Sequence, residues 1–258
     1  MKTLVAGPFL AEFGWHVSTF IPAIRCYSRR FDKTVIVCKK EHEYLYEDFA
    51  NDGFVTHGGK KGLPDRWLLN GKKVKMPNVI IRAYPNAKIV EPTRKVCMDW
   101  KREYFKYGEK RDDCAYDLVI HARACTKYGQ RSWNYPKPRY GKVLEALKLN
   151  KVCCIGTQAH YIEGTDDKRN IPLSGLCDIL ASSKVLLSPS SGPAHLASSC
   201  GCPHVIMTSN VWQKQIKGTN KDRYKRIWNA FNTPCKVLDK HNWQPPVDLV
   251  VKAVGKFL

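Results

Sequence analysis

Residues 184–208 read KVLLSPSSGPAHLASSCGCPHVIMT, and their pattern is the strongest indication of the fold. It has an apolar run, a turn rich in Ser, Gly and Pro, a segment of small residues, and a second apolar run. We interpret the order as strand, loop, helix and strand, because Pro and Gly interrupt the first run and close the segment of small residues. Ser190 or Ser191 is expected to cap the helix, and Pro193 suits its first turn.

The start of this predicted helix has the composition of an anion-binding site. Backbone N–H groups at a helix N-terminus have no partner within the helix, and the helix dipole places partial positive charge there. The hydroxyls of Ser190 and Ser191 and the imidazole of His195 add side-chain groups at the same place. A diphosphate would fit such a site. An ordinary strand-to-helix turn, in which the serines only cap the helix, is the alternative.

The first part of the chain has the order of a βαβ unit. Buried strands are expected at 3–9 and 34–38, with an amphipathic helix at 17–31 between them. The loop after the first strand of such a unit is a functional position, because ligands bind at the carboxyl ends of parallel strands. Glu12 and His16 lie in that loop and are candidate general bases. A helix-capping Glu and a surface His are the alternatives.

The remaining elements continue the alternation of strands and helices. We expect a strand at 79–83 and a helix at 97–107, followed by a polar boundary at 109–113. Beyond the boundary, strands and helices are predicted at 117–124, 140–149, 151–155, 173–183 and 247–258. The sequence therefore predicts an α/β fold with two doubly wound, Rossmann-like domains, residues 1–115 and 116–258, which face each other across a cleft.

The charge balance predicts an acidic partner. The chain has 43 Lys and Arg against 23 Asp and Glu, a formal net charge of +20. Residues 1–115 have 22 basic and 14 acidic side chains and residues 116–258 have 21 and 9, so both halves are basic. Trp67, Tyr224 and Trp228 lie among the basic residues, a composition that suits the phosphates and exposed bases of a nucleic acid. A solvated charged face is the alternative. Two clusters concentrate the charge, namely Lys60, Lys61, Arg66, Lys72, Lys73 and Lys75 in one and Lys214, Lys217, Lys221, Arg223, Lys225 and Arg226 in the other.

The cysteines and the hydropathy indicate the expected compartment. There are 11 cysteines, an odd number, and no CxxC pair occurs. Reduced core thiols in a cytoplasmic protein are therefore expected rather than a disulfide framework or a zinc site. No apolar run approaches the roughly 20 residues that span a bilayer, so we expect no membrane span.

Several of these segments together resemble a known family. Residues 188–207, SPSSGPAHLASSCGCPHVIM, resemble the donor-site motif of heptosyltransferase-like glycosyltransferases, which have the GT-B fold. Residues 117–124 and 152–157 are similar to that family's second domain in order and spacing. AEFGWH at 11–16, followed by IPAIRCYSRRF at 21–31, resembles the acceptor-side opening of related transferases.

The resemblance implies three groups of donor-binding residues. The donor diphosphate would contact Ser190, Ser191, Gly192 and His195. Cationic contacts to it would come from Arg123 and Arg131. The nucleoside would lie near the turn formed by Gly156, Thr157 and Gln158.

The resemblance also implies a reaction. The family's opening has an Asp just after its Gly, where this sequence has Trp15, so Glu12 is expected to be the base, with His16 as the alternative. An inverting transfer from a nucleotide-diphosphate sugar is implied, in which the base takes the proton of the acceptor hydroxyl. No D-x-D sequence occurs, so we expect the transfer to be metal-independent, with basic side chains and a helix N-terminus holding the diphosphate.

The acceptor is expected from the charge together with the resemblance. Small GT-B enzymes of bacteriophages that glycosylate hydroxylated cytosine in DNA are similarly basic and aromatic. The expected acceptor is therefore a hydroxyl on a nucleic-acid base, such as hydroxymethylated cytosine in phage DNA. A saccharide or lipopolysaccharide acceptor is one alternative, and a non-catalytic nucleic-acid-binding protein on the same scaffold is another.

Overall fold

A computed structural model describes residues 1–57, 74–125, 133–157, 159–213 and 218–258. The chain divides into two compact units, Met1–Phe105 and Lys106–Leu258. The segment 106–115, which the sequence places at the end of the first domain, packs with the second unit. The Tyr107 N–H donates to the Ser199 carbonyl at 2.9 Å, and backbone pairing of this kind fixes the segment to its unit.

The first unit contains a parallel sheet in which β1 is central. Its spatial order is β3-β2-β1-β4, so β1 has a neighbour on each side and the direction of winding reverses there. Burial of most of the β1 and β2 side chains explains their near-continuous apolar sequences, because both faces of a parallel sheet are covered. The four strands are β1 Thr3–Ala6, β2 Lys33–Cys38, β3 Phe54–Thr56 and β4 Lys88–Val90.

A glycine is required immediately after β1. Gly7 has a φ of +120°, and a Cβ at this position would lie 2.1 Å from the Val37 carbonyl oxygen on the neighbouring strand. Only glycine combines this backbone conformation with such a close approach. The path of the loop that carries Glu12 is therefore determined by backbone packing against β2.

The helices of the first unit begin earlier than the sequence predicts. The loop after β1 becomes helical at Phe13, and three segments run on without a break. These are α1 Phe13–Trp15, a π-helical turn His16–Phe20 and α2 Ile21–Ser28. A 3₁₀ helix covers Lys40–Leu45.

The strand predicted at 79–83 is wrong, because these residues belong to helix α3, Asn78–Ala83. Val79 and Ile81 are 73% and 40% exposed while Ile80 is buried, which is the one-sided burial of a short helix. A short apolar run does not distinguish a strand from a helix by periodicity alone. The edge strand is instead β4.

The helix predicted at 97–107 is also displaced. Helix α4 covers Arg94–Asp99, and the backbone is extended from Trp100. One Arg102 guanidinium nitrogen donates to the carbonyls of Cys97 and Met98 at 2.6 and 3.2 Å. A basic side chain on the last carbonyls is a common helix end.

The second unit contains a larger parallel sheet with the spatial order β10-β9-β8-β5-β6-β7. When the six strands are renumbered from 1 to 6 within the unit and read from the β7 edge, this is the doubly wound order 3-2-1-4-5-6. The adjacent central strands β5 and β8 are the point where the winding reverses. The six strands are β5 Leu118–Ile120, β6 Val152–Gly156, β7 Asp166–Arg169, β8 Val185–Pro189, β9 His204–Met207 and β10 Cys235–Leu238.

The strand, loop, helix and strand predicted at 184–208 are confirmed as β8, helix α7 (Gly192–Ser199) and β9. Pro193 lies in the first turn of α7, as predicted, and Ser191 is the N-cap residue. The Ser191 side chain makes no capping hydrogen bond, so the predicted capping by a serine hydroxyl is not realised there. The helices of this unit are α5 Lys137–Leu147, α6 Leu173–Ser182, α7 Gly192–Ser199, α8 Asn220–Arg226 and α9 Val247–Val254, with a 3₁₀ turn at Asp112–Cys114.

Two further features concern the cysteines and the membrane. All 11 cysteines are free, and each is buried or partly buried in one of the two units. Within the described parts of the chain, every helix is too short or too polar to span a bilayer.

Candidate functional site

Polar residues follow β5 and β8, the two adjacent central strands of the second unit. His121 and Arg123 come directly after β5, and β8 leads through Ser190 and Ser191 into α7. The carboxyl ends of these strands therefore bring the two groups together at the point where the winding of the sheet reverses. In doubly wound sheets this is the usual place for a ligand.

His121 and two serines form a closed hydrogen-bond network. The Nδ1 atom of His121 lies 2.9 Å from Ser191 Oγ and 3.2 Å from Ser188 Oγ. Each hydroxyl also donates its single proton to the Pro189 carbonyl, at 2.7 Å from Ser188 and 2.9 Å from Ser191. We therefore assign the proton to Nδ1, which donates to the serine oxygens. This network occupies the Ser191 hydroxyl, which explains why it does not cap α7.

Gly156 at the end of β6 makes room for the His121 ring. Gly156 has a φ of +110°, and a Cβ there would lie 2.5 Å from His121 Cδ2. Burial lowers the pKa of His121 to about 3, with the charge of Arg123 contributing, so the ring is neutral at ordinary pH. Thr157, which was predicted with Gly156 to lie near a nucleoside, is exposed.

His195 lies in the first turn of α7 and is 6% exposed. Its ring is 4.3 Å from the ring of Trp228 and 5.6 Å from that of Tyr224. Among the described residues its Nδ1 atom has no hydrogen-bond partner. Burial lowers the pKa of His195 to about 3, and the charges of Arg223 and Arg123 act in the same direction. The start of α7 is therefore a buried, positively charged place, which suits an anion.

Arg223 is at this place and not in the exposed basic cluster where the sequence puts it. The side chain is 3% exposed, its guanidinium lies 4.8 Å from the Trp228 ring centroid, and it donates to Gln213 Oε1. This role could not be predicted from the run of basic residues, because such a run on a short helix does not indicate which side chain faces inward. Trp228 was the available signal, since an arginine often packs over a neighbouring indole.

A stack of aromatic rings supports Arg123. Its guanidinium lies 5.6 Å from the Trp133 ring centroid, and Trp133 stacks on Trp243 with centroids 5.1 Å apart and an interplanar angle of 9°. Trp243 has a φ of +70° and follows Asn242 with a φ of +44°. Left-handed backbone is uncommon for a bulky residue and occurs where the surroundings enforce it, often at functional sites. Trp243 is a further candidate residue that the sequence analysis missed.

Tyr224 connects α8 to the loop before α7. Its hydroxyl donates to Ser190 Oγ at 3.2 Å, and the Ser190 N–H donates to the Met207 carbonyl at 2.9 Å. Tyr224 and Trp228 are 3% and 5% exposed. The expectation that these aromatic residues suit exposed bases is therefore not met by these two rings, because both are buried beside His195.

Several predicted residues lie outside the described parts of the chain. Of the exposed basic residues in the two predicted clusters, four are described: Lys75 in the first unit, and Lys221, Lys225 and Arg226 on α8. The predicted residues that lie outside are Arg131, Gln158, Lys60, Lys61, Arg66, Trp67, Lys72, Lys73, Lys214 and Lys217.

The two candidate bases of the first unit differ in exposure. Glu12 is the N-cap residue of α1 and is partly exposed. His16 is 1% exposed, stacks on Phe9 at 4.7 Å, and shares a hydrogen bond between its Nε2 and the Tyr46 hydroxyl. Burial lowers the pKa of His16 well below its ordinary value, and His42 contributes. His16 is thus a core residue in this conformation rather than a residue of an open loop.

The comparisons with known proteins give a likeness of fold. No protein-family model matches the chain, and no curated protein matches it. Among solved structures, the glycosyl transferase family 9 protein from Veillonella parvula DSM 2008 is similar with a TM-score of 0.59 and 13% identity, covering 99% of this chain and 97% of that one. The E. coli heptosyltransferase WaaC with ADP has a TM-score of 0.55 and 10% identity, with 100% of both chains covered.

A third similar structure is named as a different class of enzyme, an epimerase. The putative UDP-N-acetylglucosamine 2-epimerase from Listeria monocytogenes has a TM-score of 0.53 and 8% identity, covering 99% of this chain and 87% of that one. At these identities the likeness establishes that the chain shares the fold, with its two parallel-sheet α/β units, and the site residues must supply the function.

Proposed function

We propose that the protein is a glycosyltransferase that binds the diphosphate of a nucleotide-sugar donor at the start of α7. The observation that carries the proposal is the buried His195, with an Nδ1 atom that has no partner among the described residues and with the charges of Arg123 and Arg223 close enough to lower its pKa. A diphosphate would accept hydrogen bonds from the helix N-terminus and neutralise both guanidinium groups. Two positive charges near one buried ring therefore favour an anionic ligand.

The names of the similar structures support a nucleotide-sugar donor. One is a glycosyl transferase, one is a heptosyltransferase with ADP, and one is named for UDP-N-acetylglucosamine. A nucleoside diphosphate is common to the last two names, whereas group transfer is common to the first two. Because a fold hosts more than one reaction, an epimerase remains the second outcome that an experiment must separate.

In the proposed reaction, the diphosphate is the leaving group. The acceptor oxygen would attack the anomeric carbon while the carbon–oxygen bond to the diphosphate breaks and the diphosphate keeps the electron pair. Arg123, Arg223 and the N-terminus of α7 would stabilise the charge that develops on it, which is the metal-independent part of the proposal. The neutral imidazole of His195 would donate or accept a hydrogen bond but add no charge.

Glu12 is the proposed base. It would take the proton of the attacking hydroxyl, and inversion at the anomeric carbon follows from a single displacement. Its partial exposure and its position after β1 support this role. His16 is disfavoured as the base, because its ring is 1% exposed and hydrogen-bonded to Tyr46, so an acceptor hydroxyl could not reach it.

The proposed acceptor is a hydroxyl on a nucleic-acid base, with hydroxymethylated cytosine in DNA as the first candidate. The net charge of +20 and the exposed Lys221 and Lys225 support an acidic polymer. A saccharide or lipopolysaccharide acceptor is the second candidate, and the heptosyltransferase name of a similar structure favours it. A cytoplasmic location, with reduced thiols, belongs to the same proposal.

Mass spectrometry separates these outcomes. The protein is incubated with a panel of nucleotide sugars and with hydroxymethylated DNA, plain DNA or a phosphorylated saccharide in turn. A mass increase of one sugar on hydroxymethylated DNA supports the full proposal, and transfer only to the saccharide moves the acceptor to the second candidate. Conversion of the donor sugar without any acceptor would identify an epimerase. Absence of both transfer and conversion with every donor would overturn the proposal.

A further inference from the structure

A basic groove lies along one side of the second unit. Its volume is about 440 Å³, and three exposed lysines line it: Lys221 and Lys225 on α8 and Lys236 on β10. We name it the lysine groove and define it by these three residues. The described residues that line it include no carboxylate. Three ammonium groups without a counter-charge in the lining make a site for an extended anion.

One wall of the lysine groove is hydrogen-bonded to the C-terminal end of α7. Asn229 Oδ1 accepts from Ser198 Oγ at 2.7 Å and from the Thr233 N–H at 2.9 Å, and Asn229 Nδ2 donates to the Thr233 carbonyl at 2.8 Å. Thr233 Oγ1 donates to the Ser198 carbonyl at 3.0 Å. The wall is therefore held by a satisfied hydrogen-bond network rather than by the lysines.

A second side of the lysine groove is lined by Tyr224, which contacts residues of the candidate anion site. Tyr224 lines the groove, its hydroxyl donates to Ser190 Oγ at 3.2 Å, and its ring stacks against His195 at 5.6 Å. Tyr224 therefore contributes to both the lysine groove and the surroundings of the candidate anion site, while the groove wall itself contacts the C-terminal end of α7.

We infer that the lysine groove binds the phosphodiester backbone of the acceptor nucleic acid, an inference that rests on the proposed function for the identity of the acceptor. Lysine ammonium groups contact phosphates as point charges and carry no base specificity. The ring of Tyr224 is 3% exposed and so offers the groove no face on which a base could stack. Binding in the groove is therefore independent of sequence and holds the strand while another part of the molecule meets the reactive base.

Lysines at these positions also have two ordinary structural roles. A lysine on an edge strand such as β10 hinders pairing with another sheet edge, and a lysine in the last turn of a helix such as α8 complements the helix dipole. If the three lysines had only these roles, their replacement would have no special effect on nucleic-acid binding.

The test compares two triple charge reversals with the same change in net charge. The groove variant is K221E/K225E/K236E, and the control variant is K142E/K151E/K252E, which changes exposed lysines on other parts of the same unit. Fluorescence anisotropy measures the affinity for a fluorescein-labelled single-stranded DNA of about 20 nucleotides, in salt from about 50 to 200 mM. A milder variant, K221Q/K225Q/K236Q, guards against a groove variant that fails to fold.

We expect the groove variant to bind at least about tenfold more weakly in low salt and its salt slope to be less steep by about 2, since each phosphate contact contributes about 0.7 for single strands. The neutral groove variant should show a smaller loss in the same direction, and the control variant should stay close to the unchanged protein. Equal losses in the groove and control variants, or no loss in either, would overturn the inference.

Titration with ADP and UDP keeps this result separate from the proposed function. If the unchanged protein binds DNA through the groove but binds neither nucleoside diphosphate, the groove stands and the donor site fails. If it binds a nucleoside diphosphate but not DNA, the groove fails and the donor site stands. A heparin oligosaccharide that binds the groove in preference to DNA would contradict the nucleic-acid assignment.

Discussion

The loops after β1 and after β5 leave their sheets at corresponding positions, because each strand lies where the winding of its sheet reverses. The surroundings of the two loops differ in chemistry. In the first unit, His16 is buried against Phe9 and bonded to Tyr46. In the second unit, His121 is bonded to serine hydroxyls, and the charge of Arg123 is near it. The same strand order thus supports an aromatic core position in one unit and a candidate anion site in the other.

Topology therefore determines where a site can form in each unit, and the side chains determine its chemistry. Gly7 and Gly156 show the same division at the level of the backbone. Gly7 is required because a Cβ would meet a backbone carbonyl at 2.1 Å, whereas at Gly156 it would meet the imidazole of His121 at 2.5 Å. The turn after β1 is therefore shaped by the sheet, and the turn after β6 by a side chain that belongs to the candidate site.

The largest expected effect concerns turnover. Glu12→Gln should reduce single-turnover transfer by about 10²–10⁴-fold, the usual contribution of a general base, while leaving donor binding intact. His16→Ala should cost less turnover, because His16 is a core residue. Glu41→Gln, at an exposed carboxylate of the same unit, is the control. Near-normal turnover in Glu12→Gln with none in His16→Ala would assign the role to His16.

The next prediction tests the backbone origin of the first loop. Gly7→Ala should lower the free energy of unfolding of the first unit by at least about 3 kcal/mol, since it adds a clash to backbone strain. Gly53 also has a positive φ, of +97°, but has open space around it. Gly53→Ala should therefore cost only about 1–2 kcal/mol. Urea unfolding of both variants measures the difference, and equal costs would show that close packing against β2 is unimportant.

Acid should lower the free energy of unfolding of the second unit, because the unit contains buried histidines. The pKa values of His121 and His195 are about 3 and that of His204 is about 4, each lowered chiefly by burial from 6.5. Below pH 6.5 the unfolded chain therefore binds more protons than the folded one. Stability is complete above that pH and falls on acidification, by up to about 1.4 kcal/mol per pH unit for each histidine.

Urea unfolding between about pH 7 and pH 5 tests this slope. His204→Gln should flatten it, because one buried histidine is removed, whereas His160→Gln, at an exposed position, should leave it unchanged. An unchanged slope in His204→Gln would mean that this ring is accessible to protons in the folded state.

The smallest expected effect sharpens the role of the aromatic stack. Trp133→Leu should weaken nucleoside diphosphate binding by about twofold to tenfold, because it removes the ring on which Arg123 lies and which stacks on Trp243. Trp212→Leu changes a tryptophan that is 63% exposed and should have no effect. Calorimetry with ADP compares the two variants, and equal affinities for ADP would show that the aromatic stack does not contribute to the site.

The sequence was sufficient for the parts of the fold that depend on local signals. The strand, loop, helix and strand at 184–208 were predicted because Pro, Gly and Ser interrupt the apolar runs, and the small residues of α7 favour close packing on a sheet. The position of His195 in the first turn follows from the same pattern. A helix start can be recognised locally because its chemistry depends on neighbouring residues in the chain.

The sequence was insufficient where contacts join distant segments. The bond between His121 and Ser191 links residues 70 positions apart, and it removes the hydroxyl that was expected to cap α7. Arg223 is one of many basic residues in the sequence, and only its burial against Trp228 distinguishes it. Trp243 lies in a segment without periodicity, so its contact with Trp133 had no signal in the sequence. These residues acquire their roles from packing.

The second unit, and not the first, is proposed to hold the donor diphosphate. Isothermal titration calorimetry with ADP and UDP tests this proposal on the unchanged protein, Arg123→Ala, His195→Ala and Glu12→Gln. We expect affinity to fall about 10- to 150-fold in Arg123→Ala and in His195→Ala, the cost of about 1.5–3 kcal/mol for a hydrogen bond to a charged group. Glu12→Gln should bind as the unchanged protein does. Undiminished affinity in both second-unit variants would contradict the assignment of the diphosphate to the start of α7.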